Sequence, residues 1–181
     1  SQIDASIGGK VALNLQGYKN QIGLFSNPEL VVIYPPYLSS LSDNDFLSAI
    51  AEVFKYGIVF DQSFWDKVSN MNIRKNSNLT HIILECIKIK TSIVNSDYYD
   101  WNERRKLNFG HSISHAIECF FSKKNNPMPH GFALAIGIIC ESHISYNKYR
   151  FSKQQFNQIV KKILSIFPPI RLYQKNDDYI N

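Results

Sequence analysis

The 181-residue sequence predicts a mainly α protein: a multi-helix domain over residues 42–181, preceded by a short β-containing segment over residues 1–41. Two observations carry this. The hydrophobic period changes at Ser42, from short Val- and Ile-rich runs to apolar residues at helical spacing. Pro35-Pro36 interrupts the chain just before the change, and Pro168-Pro169 closes the last helical stretch.

The elements follow in order. Residues Lys10 to Leu15 and Glu29 to Tyr34 read as strands, with Gly8-Gly9 and Gly17 as turns. Ser42 followed by Asp45 resembles a capping box, and Phe46, Ile50, Val53 and Phe54 continue at helical spacing. A short helix is expected from Gln62 to Met71. A longer one runs from Asn78 to Ser96, with Leu79, Ile82, Ile83, Cys86, Ile93 and Val94 on its stripe. The next spans Asn102 to Phe121. Pro127 and Pro129 break the chain before a nearly all-apolar helix from Phe132 to Tyr146. Ser152 and Gln155 cap the last helix, whose stripe is Phe156, Ile159, Val160, Ile163 and Leu164.

Composition narrows the classes. Hydrophobic residues make up 44% and charged residues 19%, as in globular proteins. No apolar run approaches the ~18 residues of a membrane span, and the opening Ser1-Gln2-Ile3-Asp4 has no signal-peptide character. Without an initiator Met, and with structured sequence from Ala5 onward, the chain reads as cut from something longer. Cys86, Cys119 and Cys140 form no CxxC pair, which suits buried thiols in a reduced, cytoplasmic protein. The net charge of +5 is spread over separate pairs, Arg74-Lys75, Lys123-Lys124 and Lys161-Lys162, without a nucleic-acid motif. Solvated surface charge, or basic groups around an acidic small substrate, accounts for it.

Several residues point to chemistry. Arg104, Asn108, His111 and His115 fall within an arc of about 60° on a continuous helix. A guanidinium, an amide and two imidazoles occupy what is normally an apolar stripe, while Phe109, Ile113, Ala116, Ile117 and Phe120 are left to face the core. Lys90 sits among Cys86, Ile87, Ile93 and Val94, so its ammonium must meet an anion or snorkel to water. Glu52 and Lys55 have the spacing of a surface ion pair, yet Glu52 and the histidines His111 and His130 are good zinc ligands and as a set would leave a coordination position open. The HxxxH pair His111 and His115 lacks an HExxH context, and Gly8-Gly9-Lys10 lacks P-loop spacing.

Taken together, these residues resemble the 3-dehydroquinate synthase family of sugar-phosphate cyclases. The carrying blocks are Asp4-Ala5-Ser6-Ile7-Gly8-Gly9-Lys10 with Lys19-Asn20 behind it, then Ala51-Glu52-Val53-Phe54-Lys55-Tyr56-Gly57, then Leu107 to Glu118, and His130-Gly131 with Ala133 and Ala135-Ile136-Gly137. Phe132 stands where the family often has Glu. The resemblance implies that residues 1–41 end an α/β, Rossmann-like NAD-binding domain and that residues 42–181 form a helical metal- and substrate-binding domain. It implies Glu52, His111 and His130 as ligands of Zn²⁺ or Co²⁺. Asp4, Lys10, Lys19, Tyr37, Leu38, Ser39 and Ser40 would contact NAD. Asp4, Lys10, Asn20, Lys55, Lys90, Arg104, Asn108 and His115 would bind a phosphorylated sugar acid, with Lys55, Lys90, Arg104, Asn108 and His115 as the catalytic group. A homodimer is the implied assembly of the complete enzyme, and the isolated 181 residues are expected to be inactive because part of the NAD site lies outside them.

Overall fold

Side-chain caps mark the starts of three helices in the computed structural model, which describes residues 2–15, 18–72, 78–149 and 151–169, with only the backbone of Asn14, Tyr18, Lys19 and Asn20. Gly17 and the Arg74-Lys75 pair fall outside the described residues. Strands β1 (Lys10–Leu15) and β2 (Tyr18–Phe25) pair antiparallel, Val11 opposite Leu24 and Leu13 opposite Ile22. The second strand is therefore not Glu29 to Tyr34, as the Val-rich run suggested. A strand needs a partner ladder as well as β-branched residues, and the hairpin supplies it to the segment next to β1. Val11, Leu13, Leu15, Ile22 and Leu24 are all exposed. A 3-10 turn covers Pro35–Ser40, and the Ser39 and Ser40 hydroxyls donate to the carbonyls of Pro36 and Tyr37.

The helices are α1 (Asp43–Phe60), α2 (Gln62–Asn70), α3 (Leu79–Ser96), α4 (His111–Lys123), α5 (His130–Lys148) and α6 (Lys153–Leu164), with a second 3-10 turn at Glu103–Asn108. Ser42 caps α1: its hydroxyl accepts from the Asp45 N–H (3.2 Å) and donates to the Asp45 carboxylate (2.7 Å). The Asp side chain thus meets the cap hydroxyl, where a longer Glu would reach back to the cap backbone. Ser152 and Gln155 make both bonds of a full capping box on α6. Helix α1 is buried without interruption from Ile50 to Gly57, and it packs against α2, α3 and α5. Phe54, Tyr56, Val68, Cys86, Leu134, Ile138 and Ile163 form the most enclosed part of the core. Among the described residues, no helix is long and apolar enough to cross a membrane.

The helix expected over Asn102 to Phe121 is two elements. Gly110 breaks it with φ +80°, a left-handed conformation that favours glycine. A Cβ at Gly110 would press on Ile138 and Leu134 at 3.0 Å, and one at Gly137 would lie 2.0 Å from the Gly110 carbonyl oxygen. The break therefore accompanies a close backbone approach between the start of α4 and α5. Arg104 and Asn108 consequently belong to the 3-10 turn, not to the helix bearing His111 and His115. The expected apolar face of α4 is corrected too. Ser114 is its buried residue, Ile113 and Ile117 are half-buried, and Ala116 and Phe120 are exposed. Helix α5 begins at His130, two positions before the expected Phe132, because Pro129 serves as its cap residue.

Candidate active site

Glu52 projects from the fully buried stretch of α1, where an ionised carboxylate persists only with compensation. Lys55, one turn later and itself 1% exposed, places Nζ 2.6 Å from Oε2. That contact is an ion pair and not a directed hydrogen bond, since Oε2 makes none. The other oxygen, Oε1, lies 3.4 Å from His111 Nε2 and 3.2 Å from His130 Nε2. His111 and His130 are the first residues of α4 and α5, so two helix N-termini, with their positive dipole ends, converge on the carboxylate. A backbone contact fixes where α5 starts: Gly131 N–H donates to Ser48 Oγ (3.1 Å), and a Cβ at Gly131 would lie 2.0 Å from the Ser48 Cα.

One ligand atom from each of Glu52, His111 and His130 lies within 4.8 Å of the others. A carboxylate oxygen and two imidazole nitrogens match the donors Zn²⁺ and Co²⁺ accept, and three protein ligands leave a position open. Burial pushes the Glu52 carboxyl up, but the Lys55 ammonium and the two imidazoles outweigh it and hold it well below the usual range. His130 is raised to about 9, because Glu118 and Glu52 both accept from its ring and together outweigh burial. His115, one turn along α4, sets its ring at 84° to that of His111, centroids 5.5 Å apart.

A second buried cluster lies beside the first. Lys90 Nζ is 2.5 Å from both the carbonyl and the Oδ1 of Asp4. The Tyr56 hydroxyl lies 2.9 Å from Asp4 Oδ1 and 3.2 Å from the Ile3 carbonyl. Burial and the nearby Glu52 push the Asp4 carboxyl up, yet Lys55 and Lys90 outweigh them and leave it lowered. Burial lowers Lys90, with Asp4 opposing. Lys90 and Arg104, which the resemblance implies as substrate-binding residues, each have partners inside the chain. Arg104, 2% exposed, donates from Nη2 to the Gly8 carbonyl (2.6 Å) and from Nη1 to the Tyr98 carbonyl.

The remaining expected residues are more scattered. Lys10 pairs with Asp100. Asn108 is exposed and lines a shallow cavity of about 270 Å³ with Arg105, Lys106 and Glu141, to which none of Glu52, His111 and His130 contributes. Tyr37, Ser39 and Ser40 are exposed on the first 3-10 turn, with Leu38 half-buried. The Lys19 and Asn20 side chains lie outside the described residues. Sequence reasoning gave no role to Tyr56, Glu118 or Asp97. Glu118 stands seven residues after His111, two turns along one helix face, which is a signal that could have been read.

Fold and donor set together define a helical domain built around a three-ligand metal-type cluster. Two family models cover the chain, one described as 3-dehydroquinate synthase N-terminal over residues 1–48 and one as 3-dehydroquinate synthase C-terminal over residues 49–180. The chain belongs to the 3-dehydroquinate synthase family. It is similar to the 3-dehydroquinate synthase of Clostridium beijerinckii, 39% identical over 166 residues, covering 91% of this chain and 47% of that protein. The Clostridium botulinum enzyme of the same name is 35% identical over 182 residues, covering 99% and 51%. The chain thus spans about half the length of the curated relatives it matches. Among solved structures, it shares its fold with a 2-epi-5-epi-valiolone synthase from Streptomyces hygroscopicus with NAD⁺ and Zn²⁺ bound (TM-score 0.83, 19% identity, 96% of this chain and 49% of that one). A 2-deoxy-scyllo-inosose synthase complexed with carbaglucose-6-phosphate, NAD⁺ and Co²⁺ also matches (TM-score 0.77, 22% identity, 97% and 49%).

Proposed function

We propose that this chain supplies the metal- and substrate-binding half of a 3-dehydroquinate synthase, which converts 3-deoxy-D-arabino-heptulosonate 7-phosphate to 3-dehydroquinate and phosphate. The observation that carries it is the convergence of Glu52, His111 and His130, with the buried cations Lys55 and Lys90 close by. Bound at that cluster, zinc or cobalt would act as Lewis acid on a substrate hydroxyl while NAD took up and returned the hydride. In this reading Lys55 keeps Glu52 ionised as a ligand. Lys90 and Arg104 receive the anionic groups of the substrate by exchanging their internal partners for it, and His115, Asn108 and Asn20 hold hydroxyls. Asp4, Lys10, Lys19 and residues Tyr37 to Ser40 contribute to the NAD site. A homodimer in the cytoplasm completes the proposal.

Identity of 39% to a named 3-dehydroquinate synthase, against 19% and 22% to the valiolone and inosose cyclases, favours the heptulosonate substrate over theirs. The test is a chimera in which this chain replaces the matching segment of the Clostridium beijerinckii relative. Phosphate and 3-dehydroquinate should form with NAD and Zn²⁺, and His111→Ala should abolish both. Formation of 2-epi-5-epi-valiolone or 2-deoxy-scyllo-inosose by the chimera in place of 3-dehydroquinate would overturn the substrate assignment.

A further inference from the structure

His130 is the most exposed of the three converging ligands: its side chain is 35% exposed, against 15% for His111 and 9% for Glu52. It opens α5 directly after Pro129, with no side-chain cap, at the end of an exposed connection. An imidazole in that position has rotational freedom and two tautomers, and only the form protonated on Nδ1 leaves the Nε2 lone pair for a metal. His111 meets this need with a backbone carbonyl, Phe109 O, 3.3 Å from its Nδ1. Among the described residues, His130 has no such carbonyl. Glu118, from the neighbouring helix α4, places Oε1 3.3 Å from His130 Nδ1, and its side chain is only 12% exposed.

We propose that Glu118 is the positioning residue for His130: its carboxylate accepts the Nδ1 proton, fixes the ring and tautomer, and so aims Nε2 at the position shared with Glu52 and His111. This rests on the metal reading of the cluster and assigns Glu118 no contact with metal or substrate. The placement has a structural logic. Glu118 and His111 lie two turns apart on one helix, so α4 carries both a ligand and the group that orients the ligand of α5. Loss of such an outer partner lowers metal affinity by about 10–100-fold. A tether merely joining the helices is not needed there, because α4 and α5 already meet through Gly110 and Gly137.

The test uses the 181-residue chain, which contains all four residues, and reads Zn²⁺ affinity by chelator competition and the visible spectrum of the Co²⁺ form. Glu118→Ala should weaken Zn²⁺ binding about 10–100-fold and alter the Co²⁺ spectrum. Glu118→Gln keeps an acceptor oxygen and should fall between, with the metal-free melting temperature close to that of the parent. In a His130→Ala background, Glu118→Ala should have no further effect on affinity, since a positioning residue acts only through what it positions. Nitrogen NMR of the imidazoles should show His130 protonated on Nδ1 in the loaded parent. Unchanged affinity and spectrum in a folded Glu118→Ala or Glu118→Gln variant would overturn the role of Glu118 while leaving the metal site standing. A parent chain that binds no Zn²⁺ would overturn the metal reading itself, and the role of Glu118 with it.

Discussion

At the scale of single residues, the buried cations decide how the sequence is to be understood. Lys90 in an apolar stripe announces that its ammonium needs a partner, and the sequence says this clearly. It does not say which partner, because Asp4 is 86 positions away. Once the pair is known, the expected effect of removing the cation changes. With an external anion as its only partner, loss of Lys90 would leave stability equal or higher. With Asp4 as partner, Lys90→Met strands a carboxylate. Breaking a fully buried pair costs about 3–5 kcal/mol, but the Asp4 side chain is 30% exposed and can turn toward water. We therefore expect a loss of about 1–3 kcal/mol, read from urea unfolding. Asp4→Asn combined with Lys90→Met should recover most of it. A stability of Lys90→Met equal to that of the parent would mean that the pair contributes nothing to the fold.

Individual elements were legible where the signal was local. Ser42, Ser152 and Gln155 act on backbone groups within their own first turn, so their helices start where the sequence places them. The long polar helix was misread because its interruption depends on Gly137 approaching Gly110, a contact that no helical periodicity contains. The segment between α3 and α4 illustrates another hidden device. Asp97 accepts from the N–H groups of Trp101 (2.9 Å), Asn102 (2.7 Å) and Arg104 (3.0 Å), folding the chain that carries the Arg104 guanidinium. Burial pushes its carboxyl up, but these three donors outweigh it and hold it below the usual range. A carboxyl lowered in the folded state stabilises fully above the unfolded value near ~3.9, and that contribution is lost as pH falls through the folded value. Asp97→Asn should thus be less stable than the parent at neutral pH, and the two should converge in acid below about pH 4. Parallel stability profiles across that range would show that the carboxylate charge is not what holds the turn.

For the whole molecule, donor chemistry could group Glu52, His111 and His130 and the resemblance supported the grouping, but their convergence was not legible, since positions 52, 111 and 130 share no helix and no spacing rule. That convergence has a thermodynamic consequence: an ion held there would join α1, α4 and α5. At free Zn²⁺ 1,000-fold above Kd the folded state gains about 4 kcal/mol, which for a chain of this length corresponds to a rise in Tm of roughly 8–16 °C. Excess EDTA should reverse the rise, and Glu52→Gln or His130→Ala should abolish it; a Tm indifferent to zinc would count against the cluster as a metal site. The N-terminal turn carries a different consequence, one that concerns time. Its ties all reach far along the sequence: Tyr56 to Ile3 spans 53 positions, Lys90 to Asp4 spans 86, and Arg104 to Gly8 spans 96. Contacts that close such long loops form late, after the locally connected helices have collapsed. The turn should therefore be absent from the transition state. Lys90→Met should then leave the refolding rate unchanged and accelerate unfolding by the full destabilisation, a φ-value near zero. Slower refolding in proportion to the lost stability would place the turn in the nucleus. If it docks last, it is also the first part to leave, and the native state opens from its N-terminal end.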